Sequence, residues 1–151
     1  MMMAMMMESL NNLIEALRDE LGNYGEMLLL LDRQWEYLKN RAAQDVSRSI
    51  SQVRLQGETL EASRERREKC FRAVVSDLGR NEILSCHDLI PLMPPDYRPL
   101  LKALVEENNE LLSLVRRRAR QNHSLLKRSM DLMQQVVNSL CPAENEPALL
   151  T

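Results

Sequence analysis

The sequence predicts an all-α protein: an elongated antiparallel bundle of three long helices with a short helix in the connector before the last one. Three observations support this prediction. Aromatic residues make up 3% of the 151 positions and glycine occurs only four times, so the residues typical of sheets and hairpins are scarce. Leu, Ala, Met, Glu, Gln, Lys and Arg dominate instead, and these lose little entropy in helices. Apolar residues also recur at helical spacing over long stretches.

The first helix is predicted from an apolar seam with alternating steps of four and three residues, which is typical of a coiled coil or bundle. The seam consists of Leu10, Ile14, Leu17, Leu21, Tyr24, Leu28, Leu31, Trp35, Leu38 and Ala42. The Met-rich residues 1–8 are predicted to be a disordered or frayed start. The alternative is that these Met residues extend the first helix.

A second helix is predicted from about Val46 to Leu78. The seam loses its phase between Arg41 and Ser47, where Asp45 could cap a new helix. We interpret the break as a reversal of the chain, the alternative being a stutter within one continuous helix. The charged stretch 61–69 is predicted to be a solvated face. The predicted apolar face consists of Ile50, Val53, Leu60, Phe71, Val74 and Leu78.

The connector is predicted from helix-stop and capping signals. Gly79 is expected to end the second helix in the left-handed conformation that glycine tolerates. Ser85 and Asp88 form a candidate capping box for a short helix that runs to Leu92. A proline cluster then leads to Asp96, which is expected to cap the last helix.

The third long helix is predicted from Tyr97 to Leu140 and is stopped by Pro142. Residues 9–141 are thus expected to form one helical bundle domain. The remaining residues, 142–151, are predicted to be a disordered tail because they are polar and contain proline.

No catalytic, metal or cofactor site is predicted. The two histidines, His87 and His123, fall in separate helices without an acid or thiol at ligand spacing, and Gly-rich phosphate loops are absent from the sequence. An odd number of cysteines, three, without paired spacing indicates a reducing cytoplasm. The longest apolar stretch after the start, residues 27–31, is too short for stable membrane insertion.

Nucleic-acid binding is not predicted for this chain. Its net charge is −2, which argues against strong attraction to a polyanion. The cluster from Arg116 to Arg120 is interpreted as a solubilising face of the last helix. A phosphate-contacting stripe is the alternative interpretation of these arginines.

The end of the last helix carries more apolar residues than one seam requires. With a rotation of 100° per residue, its apolar side chains cover an arc of roughly 160° around the helix axis, whereas one bundle seam needs an arc of about 100°. They are Leu125, Leu126, Met130, Leu132, Met133, Val136, Val137 and Leu140. This excess predicts a groove that binds a partner helix. The alternative is that both other helices cover this end.

Two segments resemble the FlgN family of flagellar export chaperones. Residues 88–101, DLIPLMPPDYRPLL, resemble the family's connector. Residues 120–132, RQNHSLLKRSMDL, resemble its "N..LL..S...L" stretch, in which Asn122 is the recurrent asparagine. Together with the Leu-rich first helix, the similarity spans about residues 8–141.

The resemblance implies a cytosolic helical chaperone for type III flagellar export. Such proteins hold the hook–filament junction proteins FlgK and FlgL through their disordered C-terminal segments, and deliver them to the export apparatus. The client-binding residues carried over to this chain are Leu125, Met130, Leu132, Met133, Val136, Val137 and Leu140. The alternatives are a chaperone for a different secreted client and a structural coiled-coil adaptor. A homodimer is left open.

Overall fold

The computed structural model describes residues 2–140, and these form helices joined by short connections. The elements are α1 (Met2–Lys39), α2 (Ala43–Leu78), α3 (Cys86–Leu89), a 3-10 turn (Ile90–Leu92) and α4 (Arg98–Leu140). No strand occurs between residues 2 and 140. The predicted all-α fold of three long helices, with a short helix before the last one, is confirmed.

Helix α1 is the element on which both other long helices pack. Helix α2 runs antiparallel to it, since Ser9 near the start of α1 bonds Asp77, and Gln34 near its end bonds Ser49. Helix α4 runs parallel to α1, as expected when the chain reverses twice. The connector between α2 and α4 therefore closes the end of the bundle at which α1 begins.

The apolar core is densest at this connector end. Side chains from all three long helices and from the connector meet there, namely Met6, Leu10, Leu13, Ile14, Leu17, Phe71, Val74, Val75, Ile83, Leu89, Met93, Leu101 and Leu104. A smaller cluster lies further along the bundle and consists of Tyr24, Met27, Leu31, Leu60 and Val115. The core thus thins out with distance from the connector.

The reversal predicted near Arg41 is present, but its residues play different roles from those expected. Helix α2 begins at Ala43 without a side-chain cap, and Asp45 lies within its first turn. The chain turns because Arg41 adopts a left-handed conformation with φ of 55°. The N–H of Ala42 bonds the carbonyl of Tyr37, and that of Arg41 bonds Leu38. This is the Schellman pattern that ends helices, and here it ends α1. The predicted cap of α2 by Asp45 is wrong, because the N-cap residue is Ala42.

The second helix ends as predicted. Gly79 has φ of 68°, and its N–H bonds the carbonyl of Ser76, while the N–H of Arg80 bonds Val75. The same Schellman pattern therefore closes α1 and α2, once with arginine and once with glycine at the left-handed position.

The connector agrees with the prediction at its start and differs at its end. The hydroxyl of Ser85 accepts the N–H of Asp88 at 3.2 Å and caps α3. The short helix changes to a 3-10 turn at Ile90. No hydrogen bond to the Asp96 carboxylate occurs among the described residues. Backbone bonds such as Leu101 N–H to the carbonyl of Tyr97 open α4 instead, so the predicted cap is wrong.

The Met-rich start is helical, which corrects the expectation of a disordered or frayed segment. Helix α1 extends back to Met2, and Met6 is buried against the connector-end core. Methionine is a good helix former, which favours continuation of the helix through these residues. The predicted tail, residues 142–151, and Cys141 lie outside the described residues.

Candidate functional site

The register between α4 and α1 is set by two asparagines. The side-chain amide of Asn108 donates to the carbonyl of Leu17 at 3.1 Å, and that of Asn122 donates to the carbonyl of Leu31 at 2.8 Å. Both contacts join residues 91 positions apart. Extending this offset places Lys39, the last residue of α1, level with Met130. Helix α4 therefore continues past the end of α1 by about ten residues, or ~15 Å.

The end of α4, from a point level with the last turn of α1 onward, is exposed on all sides. Every residue from Lys127 to Leu140 is exposed, and we call this segment the overhang. Six of its side chains are large and apolar, with exposed fractions between 42% and 76%: Met130, Leu132, Met133, Val136, Val137 and Leu140. They continue the stripe that faces α1 nearer the connector. Contiguous exposed apolar surface of this kind marks interaction sites in folded proteins.

The structure divides the predicted client-binding residues into two groups. The six apolar residues of the overhang lie together on its exposed stripe. Leu125 instead lies at the base of the overhang and is half-buried. The alternative of complete coverage by the other two helices is wrong, because α1 ends level with Met130.

A cleft of about 410 Å³ opens at the base of the overhang, between the end of α1 and the flank of α4. We call it the Trp35 cleft. Its lining residues are Trp35, Arg117, Arg120, Gln121, Ser124, Leu125 and Arg128. The neighbouring Arg118 lies 6.0 Å from the Trp35 ring centroid and forms a 2.8 Å ion pair with Asp32. The cleft therefore combines an aromatic wall with several cationic side chains.

A buried polar network that sequence reasoning missed lies in the middle of the bundle. Glu20 is only 2% exposed, and its carboxylate accepts the Nε–H of Arg67 at 2.6 Å and the hydroxyl of Tyr24 at 2.9 Å. Burial, together with the hydrogen bond to Glu20, raises the pKa of Tyr24 to about 12. Burial alone lowers the pKa of Arg67, but the Glu20 carboxylate outweighs it and raises that pKa.

This network holds α2 against α1 and does not resemble a reactive centre. A cavity of about 270 Å³ lies beside it, which Arg64, Cys86 and His87 also line. Burial raises the pKa of the Cys86 thiol, whereas a reactive cysteine needs a lowered one. Within residues 2–140, no group of three or more His, Cys, Asp or Glu side chains is placed to hold a metal ion.

The polar contacts between α1 and α2 were also missed. Ser49 and Ser63 are buried, and they bond Gln34 and Asn23 across the interface. Ile50, which was predicted to be apolar core, is 44% exposed. The preceding residue, Ser49, faces α1 instead, and it lies about 100° from Ile50 around the helix. Apolar periodicity alone does not detect a face built partly from serines.

Comparison with known proteins identifies the family. The sequence model of the family described as FlgN protein matches residues 2–149, nearly the entire chain. Comparison with curated proteins and with solved structures found no match. In the described part of the chain, no helix is both long and apolar enough to cross a membrane. The family match agrees with the resemblance of the connector and of the Asn122 region, and the chain belongs to the FlgN family of flagellar export chaperones.

Proposed function

We propose that this chain is a cytoplasmic chaperone of type III flagellar export that binds the C-terminal segments of hook–filament junction proteins resembling FlgK and FlgL. It prevents their premature association and delivers them to the export apparatus. The client segment binds as an amphipathic helix on the apolar stripe of the overhang, with Leu125 at the inner end of the contact.

The observation that carries this proposal is the exposed stripe itself. Leu132, Met133 and Val136 are each more than half exposed on a helix that no other described element covers. Burying a half-exposed Leu or Val stabilises a complex by about 1 kcal/mol. Several such residues on one face supply enough free energy for micromolar binding of a helix.

The same geometry suits a client that must later be released. A disordered segment that folds on the overhang loses conformational entropy at that moment. This cost offsets part of the apolar gain, so the complex is specific without being permanent. The methionines at 130 and 133 have flexible side chains that adjust to different clients.

The test uses two adjacent residues of the overhang, about 100° apart around the helix, of which one lies on the apolar stripe and the other outside it. Val136→Glu places a charge on the apolar stripe, whereas Gln135→Glu places the same charge on the polar face. We expect Val136→Glu to weaken binding of the junction protein's C-terminal segment at least about a hundredfold, because a carboxylate resists burial. Gln135→Glu should stay within about twofold of wild type. Affinity is measured by isothermal titration calorimetry.

Circular dichroism should show equal helical content in both variants, since both sites are exposed. Wild-type affinity in the Val136→Glu variant would show that the client binds elsewhere. Leu132→Glu provides a second substitution on the stripe, with the same expected loss.

The structural adaptor remains the second candidate because an exposed apolar stripe also suits a second copy of the chain. Light scattering at micromolar concentration distinguishes the two functions. A stable dimer that Val136→Glu dissociates, together with no affinity for the junction-protein segment, would favour the adaptor. The proposed chaperone function predicts a client complex that forms with wild-type but not with Val136→Glu protein.

A further inference from the structure

We propose that the Trp35 cleft binds an acidic stretch of the client, next to the amphipathic helix that the overhang holds. This inference rests on the proposed function and adds a second, electrostatic contact to it. The acidic stretch contains Asp or Glu side chains whose carboxylates pair with Arg117, Arg120 and Arg128.

The first argument is the absence of intramolecular partners for these arginines. All three are exposed, and within residues 2–140 none of them forms an ion pair. Two of the nearby carboxylates are already engaged, since Asp32 pairs with Arg118 and Glu36 pairs with Lys39. Asp131, one turn after Arg128, forms no ion pair with it in the described part of the chain. A cluster of like charges repels itself, and an acidic partner relieves that repulsion. The chain as a whole carries a charge of −2, so the positive cleft is a local feature.

The second argument is the continuity between the cleft and the overhang. Leu125 lines the cleft, and it lies two turns, about 10 Å, before Leu132 on the same helix. A client helix on the overhang that runs towards the bundle therefore reaches the cleft with its next residues. Arginine is suited to receive carboxylates there, because its guanidinium forms paired hydrogen bonds with them.

The third argument favours an acidic polypeptide over a polynucleotide. Single-stranded nucleic acids are bound by arginines together with aromatic rings on which bases stack. Here Arg118 lies over the Trp35 ring at 6.0 Å and is anchored by Asp32. One face of the only tryptophan in the chain is thus occupied by a side chain of the same protein.

The experiment compares two double charge reversals on α4 in the full chain. Arg117→Glu with Arg128→Glu alters the cleft. Lys102→Glu with Arg116→Glu is the matched control, because both residues are exposed on α4, lie outside the cleft lining and change the net charge equally. The probe is the purified C-terminal segment of the junction protein from the same organism. Trp35, the sole tryptophan, reports binding through its fluorescence.

We expect the cleft variant to lose about tenfold in affinity and the control to stay within about twofold. Wild-type affinity should fall with added salt, and this dependence should be much weaker in the cleft variant. Client binding should also change the Trp35 emission of the wild type.

The result separates this inference from the proposed function. If Val136→Glu abolishes binding while the cleft variant binds as the wild type does, the acidic contact is wrong and the proposed function stands. Equal losses of client affinity in the cleft and control variants would also overturn the acidic contact, because they would indicate non-specific electrostatic attraction. If Val136→Glu binds normally, both proposals fail. A 20-nucleotide single-stranded DNA serves as the competing probe. If it binds the wild type more tightly than the client segment does, and the cleft variant no longer binds it, the acidic contact is wrong and the cleft binds nucleic acid.

Discussion

The two halves of α4 have similar sequence patterns and opposite surroundings. In residues 98–122 the apolar seam is covered by α1, and Leu101, Asn108 and Asn122 are buried. In residues 127–140 the same seam continues, yet every side chain is exposed. The difference arises from the length of the neighbouring helix, since α1 ends at Lys39. An amphipathic pattern therefore predicts that a face will be covered, but not that the same chain covers it.

The apolar residues of the overhang differ in role from those in the rest of α4. Apolar residues in the first half contribute to the stability of the fold. Those in the overhang are exposed and contribute little to folding, and we propose that they serve client binding instead. Substitutions of the same type in the two halves should separate these contributions.

The largest difference is expected between Leu101→Ala and Leu132→Ala. Leu101 is 1% exposed in the connector-end core, so its truncation leaves a cavity and should lower the free energy of unfolding by about 2–5 kcal/mol. Leu132 is 53% exposed, and its truncation should change that free energy by less than about 0.5 kcal/mol. Urea unfolding followed by circular dichroism measures both values. Similar losses in the two variants would mean that the overhang is packed in solution.

A smaller difference is expected between two asparagines. Asn122→Ala removes the bonds to the Leu31 carbonyl and the Gln34 side chain, both buried. We expect a loss of about 1–3 kcal/mol, because Gln34 is left without its donor. Asn138→Ala removes only an exposed bond from Gln134 and should be close to neutral. The same unfolding measurement applies, and a neutral Asn122→Ala would contradict the register role of this residue.

The smallest effect is expected at the turn between α1 and α2. Arg41→Gly should stabilise the fold by about 0.5–1 kcal/mol, because glycine adopts the left-handed conformation without steric cost. Gly79→Ala, at the equivalent position after α2, should be destabilising by a similar or larger amount. Thermal unfolding of the two variants should shift the melting temperature in opposite directions. A lower melting temperature for Arg41→Gly would show that the arginine side chain contributes more than the strain costs.

Much of the fold follows from the sequence because its signals are local. The seams predicted the long helices, and Gly79 and Ser85 predicted the end of α2 and the start of α3. Arg41 was not recognised as the corresponding residue after α1, since arginine has no preference for the left-handed region. The predicted seam of α1 was also too narrow. This helix buries Leu13 and Met27 as well, because it contacts two neighbours rather than one.

The candidate site was predicted in part and for an incomplete reason. The width of the apolar arc led to the residues from Met130 to Leu140, and these are exposed. The decisive quantity is the length by which α4 exceeds α1, which depends on the register between the two helices. That register is carried by Asn108 and Asn122. A buried asparagine in a seam is visible in the sequence, but its partner carbonyl is not.

Hydrogen exchange followed by mass spectrometry tests the central claim most directly. Amides of residues 127–140 should exchange faster than those of residues 98–122 in the free chain, because no other helix packs on the overhang. Adding the C-terminal segment of the junction protein should slow exchange in the overhang and leave residues 98–115, which precede the Trp35 cleft, unchanged. An overhang that is already as protected as the first half of α4, or that the client leaves unprotected, would contradict the account.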